Sequence, residues 1–207
     1  MFTALCGLVA IHLFALITPG PDFFFISQTA ISRTKKETLF AVAGISAAVM
    51  VWATLALLGL NILFEKMVWL RQILLIGGGL YLGWLGFQLL RSALSKTAPS
   101  NHQVELPQAP IKFFVKGLLT NLSNPKAIIY FSSVFSIFLA NPTLDHVHWL
   151  LLLIVVIETA LWFLLVSFVF SLPACKAAYQ RSVKWIDGIS GGIFTLFGAF
   201  LLANSNK

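Results

Sequence analysis

Long apolar runs without charge are the feature that most limits how this 207-residue chain can fold. Residues 38–64 contain no charged side chain, and the run exceeds the roughly 20 apolar residues that a membrane-spanning helix needs. Only 10% of the chain is charged, whereas soluble domains carry about 25%. Hydrocarbon cannot satisfy free backbone groups, so spanning segments fold as internally bonded helices or as closed barrels. Because these runs have the length of spanning helices, they predict an all-α integral membrane protein.

Six segments are long and apolar enough to be transmembrane helices. They cover residues 2–32, 38–64, 73–90, 113–140, 149–172 and 186–203. The polar, proline-containing stretch SKTAPSNHQVELPQAP separates the third segment from the fourth. The predicted organisation is a first three-helix repeat over residues 1–94, a cytoplasmic linker over 95–111 and a second, inverted three-helix repeat over 112–207.

Basic residues are distributed unevenly over the two membrane sides that these spans define. The side that holds the linker carries Arg33, Lys35, Lys36, Arg91, Lys96, Lys112, Lys116, Lys176, Arg181 and Lys184. The opposite side carries Lys66, Arg71 and Lys207. The positive-inside rule places the first group in the cytoplasm, so both termini are predicted to face outward. The formal net charge of +7 therefore indicates orientation and not nucleic-acid binding.

The two halves share short stretches in the same order along the chain. PDFFFIS, from Pro21, matches NPKAIIYFSS, from Asn124, so that Pro21 aligns with Pro125. Two further matches are Trp52 with Trp162 and GGLYLGWLGF with GGIFTLFGAF. Three spans per half make the second half enter the membrane from the opposite side, so the repeat is inverted. Interrupted helices at corresponding positions of inverted halves are typical of a transporter's binding site.

Helices 1 and 4 are predicted to be broken at their proline motifs. Proline lacks an N–H and clashes with the preceding turn, and the freed carbonyls must be buried in protein or line a wet cavity. With proline at the first helical position, Gly20 and Asn124 become the N-caps of two new helices. A plain proline kink is the alternative interpretation. The candidate substrate-binding residues at the two breaks are Pro19, Gly20, Pro21, Asp22, Asn121, Asn124, Pro125 and Lys126.

Opposite charges follow the two prolines. Asp22 suits a helix N-terminus, which carries partial positive charge, so a satisfied cap is its alternative role. Lys126 is disfavoured by the same dipole and by its depth in the bilayer, and it therefore requires an anion. Asp22 and the carboxylate of a substrate are the two candidate anions. Snorkelling of Lys126 to the interface is the alternative.

Glu158 is the only acid inside the fifth span. An ionisable residue at that depth is a functional candidate by default, here as a proton carrier, an amine ligand or the partner of Lys126. A structural hydrogen bond between helices is the alternative. Asp22 and Glu158 are the two candidates for proton coupling. His12, near the first break, is interpreted as a packed hydrogen-bonding residue.

Motifs of other protein classes give no support to an enzyme or a metal site. The sequence has no HExxH and no GxSxG followed by plausible acid and histidine partners. It also lacks a cluster of Asp, Glu, His and Cys that would favour a metal. No cofactor is predicted. An exporter or channel of the same architecture for another small solute or cation is the alternative function.

Three stretches resemble the lysine-exporter/homoserine–threonine-exporter family of bacterial amino-acid efflux proteins. They are TPGPDFFF, GGGLYLGWLG and KGLLTNLSNPKA, and the resemblance covers essentially the full length. Threonine exporters of this family are the most similar, with a serine in place of Thr18. The resemblance implies a multi-pass inner-membrane exporter of threonine or a related amino acid such as homoserine, driven by protons and working by alternating access. It allows a homodimer in the lipid bilayer, with both termini in the periplasm.

Overall fold

The computed structural model describes residues 1–59, 66–94 and 108–205, and these residues contain helices and no strand. The α-helices are α1 (Phe2–Ile17), α2 (Pro21–Ser32), α3 (Lys35–Leu57), α4 (Val68–Leu94), α5 (Pro110–Leu122), α6 (Pro125–Ile129), α7 (Phe135–Leu139), α8 (His148–Ser171) and α9 (Pro173–Ala203). A π-helical turn, Tyr130–Val134, joins α6 to α7, and a 3-10 helix, Pro142–Val147, precedes α8. The predicted linker falls on residues outside the described ranges, except for its last residues, where α5 already begins.

Four helical segments of the described chain are long and apolar enough to cross a membrane. They are Lys35–Leu57, Gln72–Leu94, Pro142–Ser171 and Lys184–Ala203. Two bent pairs also qualify: α1 with α2, bent by 62°, and α5 with the helical segment Pro125–Leu139, bent by 54°. The described part of the chain thus has four candidate spans, or six if each bent pair counts as one. The inverted repeat and the outward-facing termini stay predictions.

The bend between α1 and α2 follows from the proline chemistry of residues 18–21. Thr18 precedes a proline and is extended, with φ −62° and ψ 118°, as the proline ring requires. Pro21 begins α2, and Gly20 is its N-cap. Since Pro19 and Pro21 have no N–H, the last carbonyls of α1 lose their helical donors.

The second bend is built from a different local sequence. Helix α5 ends at Leu122, and Asn124 caps α6 by accepting a hydrogen bond from the backbone N–H of Lys126 over 3.0 Å. Pro125 stands at the first position of α6, where a missing N–H costs nothing. Both bends therefore place a helix N-terminus directly after a helix C-terminus inside the protein.

Helix α3 begins three residues before the predicted second span. The Thr34 hydroxyl accepts from the Glu37 N–H over 3.3 Å, and the Glu37 carboxylate accepts from the Thr34 N–H over 2.8 Å. This reciprocal capping box satisfies two N–H groups at the helix start. The apolar run alone does not record such a cap, which is why the prediction started at residue 38.

Glycines allow two helix pairs to pack backbone against backbone. In the α3–α5 pair, a Cβ at Gly44 would overlap the Phe114 carbonyl oxygen, and one at Gly117 would overlap that of Ala41. In the α4–α9 pair, a Cβ at Gly86 would overlap the backbone at Gly191 and Thr195. Small residues at such crossings are the usual basis of close helix packing in membranes.

Replacing Gly86 by alanine is expected to destabilise the protein by about 1–3 kcal/mol, the usual cost of overpacking a tight contact. Gly83 is the matched control on the same helix, because a Cβ there meets no atom within 4 Å. Gly83→Ala is expected to be neutral or slightly stabilising, since alanine favours a helix over glycine. Thermal unfolding of both variants in one detergent would measure the difference. Equal midpoints would contradict the close packing at Gly86.

Two clusters of buried apolar side chains pack around the bends. The larger includes Trp52, Phe131 and Phe135, which are almost fully buried. The smaller includes Ile26, Ile45 and Phe163, and it packs α2 against α3 and α8. The starts of α2 and α6 are therefore buried, whereas the end of α1 at Ile17 and Thr18 is exposed. The buried starts position the polar residues described next.

Candidate functional site

Four of the sequence-predicted site residues line one small cavity between the two bends. Asp22, Asn121, Asn124 and Lys126 surround this central cavity, whose volume is about 40 Å³. Gly20 lies next to it: a Cβ placed there would be 3.4 Å from Lys126 Nζ. A cavity of this size has room for about three water molecules. In this conformation, here called the closed form, the central cavity is too small for an amino acid.

The remaining predicted residues lie around the central cavity. Pro19 and Pro125 line a larger neighbouring cavity of about 640 Å³, walled mainly by apolar side chains of α1, the π-helical turn and α9. Lys126 lines both cavities and so lies at the boundary between them. Pro21 is buried at the start of α2 and lines neither of them.

Asp22 brings a carboxylate into the central cavity from the first turn of α2. Its Oδ2 accepts hydrogen bonds from the side-chain amides of Asn121 and Asn124, each over 2.8 Å. Its Oδ1 is buried, and no group of the described residues donates to it. A buried carboxylate oxygen without a donor is rare, because desolvation of an unpaired polar atom is costly. This oxygen is therefore available to a ligand that carries donors.

Asn121 and Asn124 connect the two bends. Asn124 donates to Asp22 through its amide nitrogen and accepts from the Lys126 N–H through its amide oxygen. Asn121 also donates to Asp22 through its amide nitrogen. Its Oδ1 is buried without a donor among the described residues. The cavity thus presents two acceptor oxygens, Asp22 Oδ1 and Asn121 Oδ1, that lack partners.

Lys126 binds the broken end of α1 and not Asp22. Its Nζ donates to the carbonyl oxygens of Ala15, over 2.9 Å, and Thr18, over 2.6 Å. In a continuous helix the Ala15 carbonyl would accept from residue 19, which is a proline here. The negative end of the α1 dipole also favours a cation. Among the described residues no ion pair joins Lys126 to Asp22. Backbone carbonyls contact the ammonium of Lys126 where the sequence predicted an anion.

Glu158 contacts His12 and not Lys126. His12 Nδ1 and Glu158 Oε2 lie 3.0 Å apart, which joins the middle of α1 to α8. His12 lines the central cavity, whereas Glu158 lines a separate cleft. Of the three roles that the sequence left open for Glu158, partnership with Lys126 is not seen in this form. Sequence reasoning did not connect the two residues because they are 146 positions apart.

Tyr130 is a cavity residue that the sequence analysis did not single out. Its ring lies 5.1 Å from that of His12, and its hydroxyl is buried without a partner among the described residues. It belongs to the π-helical turn, a rare geometry that is frequent at functional sites. No residue pattern in an apolar run predicts a π-helical turn. The position of Tyr130 at the central cavity is therefore seen only in the structure.

No group of three or more His, Cys, Asp or Glu side chains that could hold a metal ion occurs in the described part of the chain. Asp22 and Glu158 instead make separate contacts. Asp22 binds two amides, and Glu158 binds a histidine. The arrangement at the cavity is suited to binding a small polar molecule by hydrogen bonds and charge.

Comparisons with known proteins agree with these features. The model of the LysE type translocator family matches residues 13–205. The threonine efflux proteins of Salmonella typhi and Escherichia coli K12 are similar at 52% and 51% identity, over 93% of this chain and 94% of theirs. The leucine efflux protein of Klebsiella pneumoniae is 32% identical over 59% of this chain and 57% of its own. No solved structure matches the chain.

Proposed function

The chain belongs to the LysE type translocator family, a family of transporters and not of enzymes, and on that basis we propose that it exports a small amino acid. The proposed substrate is threonine, because the threonine efflux relatives match almost the whole chain. Homoserine is the alternative substrate. The site is the central cavity, in the inner membrane of a bacterium. A homodimer is the proposed assembly.

The single observation that carries this proposal is the unpartnered Oδ1 of buried Asp22. An α-ammonium group has three donors and a positive charge, so it would satisfy Asp22 Oδ1 together with Asn121 Oδ1. The charge-assisted bond would also compensate the buried carboxylate. A substrate without an amine would leave both oxygens unpaired.

The substrate carboxylate is assigned to Lys126. The ammonium of Lys126 already lies at the wall of the central cavity, held by two neutral carbonyls. A carboxylate would offer it a full charge in place of these dipoles. Asp22 and Lys126 thus hold the two ends of a zwitterion.

Transport then requires the closed cavity to open to each side in turn. Exchange of the carbonyls of α1 for a substrate carboxylate would free Lys126 from α1 and join the central cavity to the larger one beside it. The two bends are the places where such a movement costs least, since no helical hydrogen bonds cross them. The transport cycle is alternating access, with protons as the coupling ion and Asp22 and Glu158 as the proton-carrying candidates.

Uptake into everted membrane vesicles tests the proposal. Vesicles that contain the protein are expected to accumulate labelled threonine with saturation, and an imposed pH gradient, acid inside, is expected to increase accumulation by about tenfold per pH unit for one coupled proton. Vesicles without the protein are the control. A panel of labelled amino acids would rank threonine, homoserine, serine and leucine. Uptake that never saturates would favour a channel, and no uptake of any amino acid would reject export.

A further inference from the structure

The contact between His12 and Glu158 forms a wall between two cavities. On one side His12 lines the central cavity, and on the other Glu158 lines a lateral cleft of about 500 Å³ between α1 and α8. His12 is 3% exposed and Glu158 14%, so the contact itself is shielded. Apart from Glu158, the cleft is lined by apolar and aromatic side chains such as Leu13 and Leu161. Two groups that both bind protons are thus placed side by side at membrane depth.

The pair has no further partner that fixes its protonation. Around it, the charged or titratable groups that face the central cavity are Tyr130 on the π-helical turn, Asp22 on α2 and Lys126 on α6. Helices α3 and α8 contribute Val49 and Phe163 to the same cavity, which are apolar. Asp22 is held by Asn121 and Asn124, and Lys126 by two carbonyls. Among the described residues, none of these groups has a hydrogen bond or an ion pair with His12 or Glu158.

One shared proton makes this pair electrically neutral. A neutral imidazole beside a carboxylic acid and an imidazolium beside a carboxylate both carry no net charge, and both keep the hydrogen bond. Removal of that proton leaves a net negative charge in a poorly hydrated place, which is costly.

We propose that His12 and Glu158 together form the proton-binding site of the exporter, separate from the amino-acid site at Asp22. The inference rests on the proposed export function. It assigns proton binding and amino-acid binding to two different places in the protein. In the empty closed form the pair holds one proton. When the protein opens to the cytoplasm, water reaches the pair and takes that proton, which leaves a carboxylate at Glu158 and a neutral imidazole at His12. The threonine-loaded protein closes without that proton. After threonine is released outside, the empty protein closes only when the pair has taken a proton from the outer side, because the empty closed form does not stabilise the negative pair. One proton then moves inward for each amino acid that moves outward.

Glu158→Gln is the decisive variant, because glutamine keeps the shape and a hydrogen bond to His12 but cannot release a proton. Two assays are needed in proteoliposomes: accumulation driven by a pH gradient, and exchange of labelled for unlabelled threonine without a gradient. Glu158→Gln is expected to lose the gradient-driven gain, about tenfold per pH unit for one proton, and to continue exchange. The pH dependence of exchange is expected to flatten as well. Asp145→Asn, at an exposed acid that lies 3.9 Å from His148, is the matched control and should keep both activities.

His12→Gln is a second variant that tests the other half of the pair, with the same expected loss of coupling. Accumulation by both variants in response to the gradient would overturn the proposal. Loss of exchange together with accumulation, in variants with normal thermal stability, would also overturn it, because the pair would then belong to the amino-acid site. If the unaltered protein neither exchanges nor accumulates any amino acid, the export function itself fails, which is a separate result.

Discussion

Asp22→Asn is expected to lower the efficiency of threonine export, measured as kcat/KM, by about a hundredfold or more, since loss of one partner of a buried charged contact costs about 2–5 kcal/mol. The fold should persist. Asp22 uses only Oδ2 for its two bonds to Asn121 and Asn124, and Oδ1 is free. Asparagine can place its oxygen where Oδ2 lies and its amide where Oδ1 lies. What disappears is the charge and the acceptor that face the cavity.

The measurement is the initial rate of export against substrate concentration for the variant and for Asp145→Asn, which makes the same change at an exposed acid. Thermal unfolding of the purified variant shows whether it is folded. A hydroxy acid that lacks the α-amine is a further control. It has no ammonium group to contact Asp22, so Asp22→Asn should not weaken its binding. Threonine export by the variant at the normal rate would exclude Asp22 as the ammonium partner.

Lys126→Met is expected to lower kcat/KM for threonine by a similar factor, about a hundredfold, because the variant loses the charge-assisted contact to the carboxylate. The methionine side chain can fill much of the same space beside Ala15 and Thr18. The carbonyls of Ala15 and Thr18 would then lack this donor, so a moderate loss of stability is expected too.

A substrate analogue separates the two effects of Lys126→Met. The unaltered protein should prefer threonine over its amide, which has no carboxylate, and the variant should lose this preference. A purely structural role would reduce transport of both compounds equally and keep the preference, which would contradict the assignment. Lys112→Gln, at an exposed position of α5, controls for a general effect of removing a positive charge.

Sequence reasoning predicted which residues lie together at the two bends because its signals are local. The prolines at positions 21 and 125 begin α2 and α6 where proline chemistry requires, and a buried Asp22 and Lys126 follow them on one cavity. An apolar composition likewise sufficed for the helical class. Such inferences need only the residue types and their spacing.

The partners inside the site could not be predicted in the same way. Lys126 binds the backbone carbonyls of Ala15 and Thr18. The prolines indicate that helical donors are missing there, but not which side chain replaces them. The contact of His12 with Glu158 depends on how α1 packs on α8, which a single sequence does not encode in its spacing. The sequence does contain the capping box of Thr34 and Glu37. It lies outside the apolar run that set the predicted bounds of the second span.

The size of the closed central cavity has a consequence for measured affinities. Since a volume of about 40 Å³ is too small for threonine, a substrate that uses the proposed site would bind only to molecules that have left this conformation. The apparent dissociation constant equals the intrinsic one divided by the fraction of open molecules. If about one molecule in a hundred is open, binding measured at equilibrium looks about a hundredfold weaker than the open site really is. A mutation that merely favours opening would therefore tighten apparent binding without touching any residue that holds the substrate.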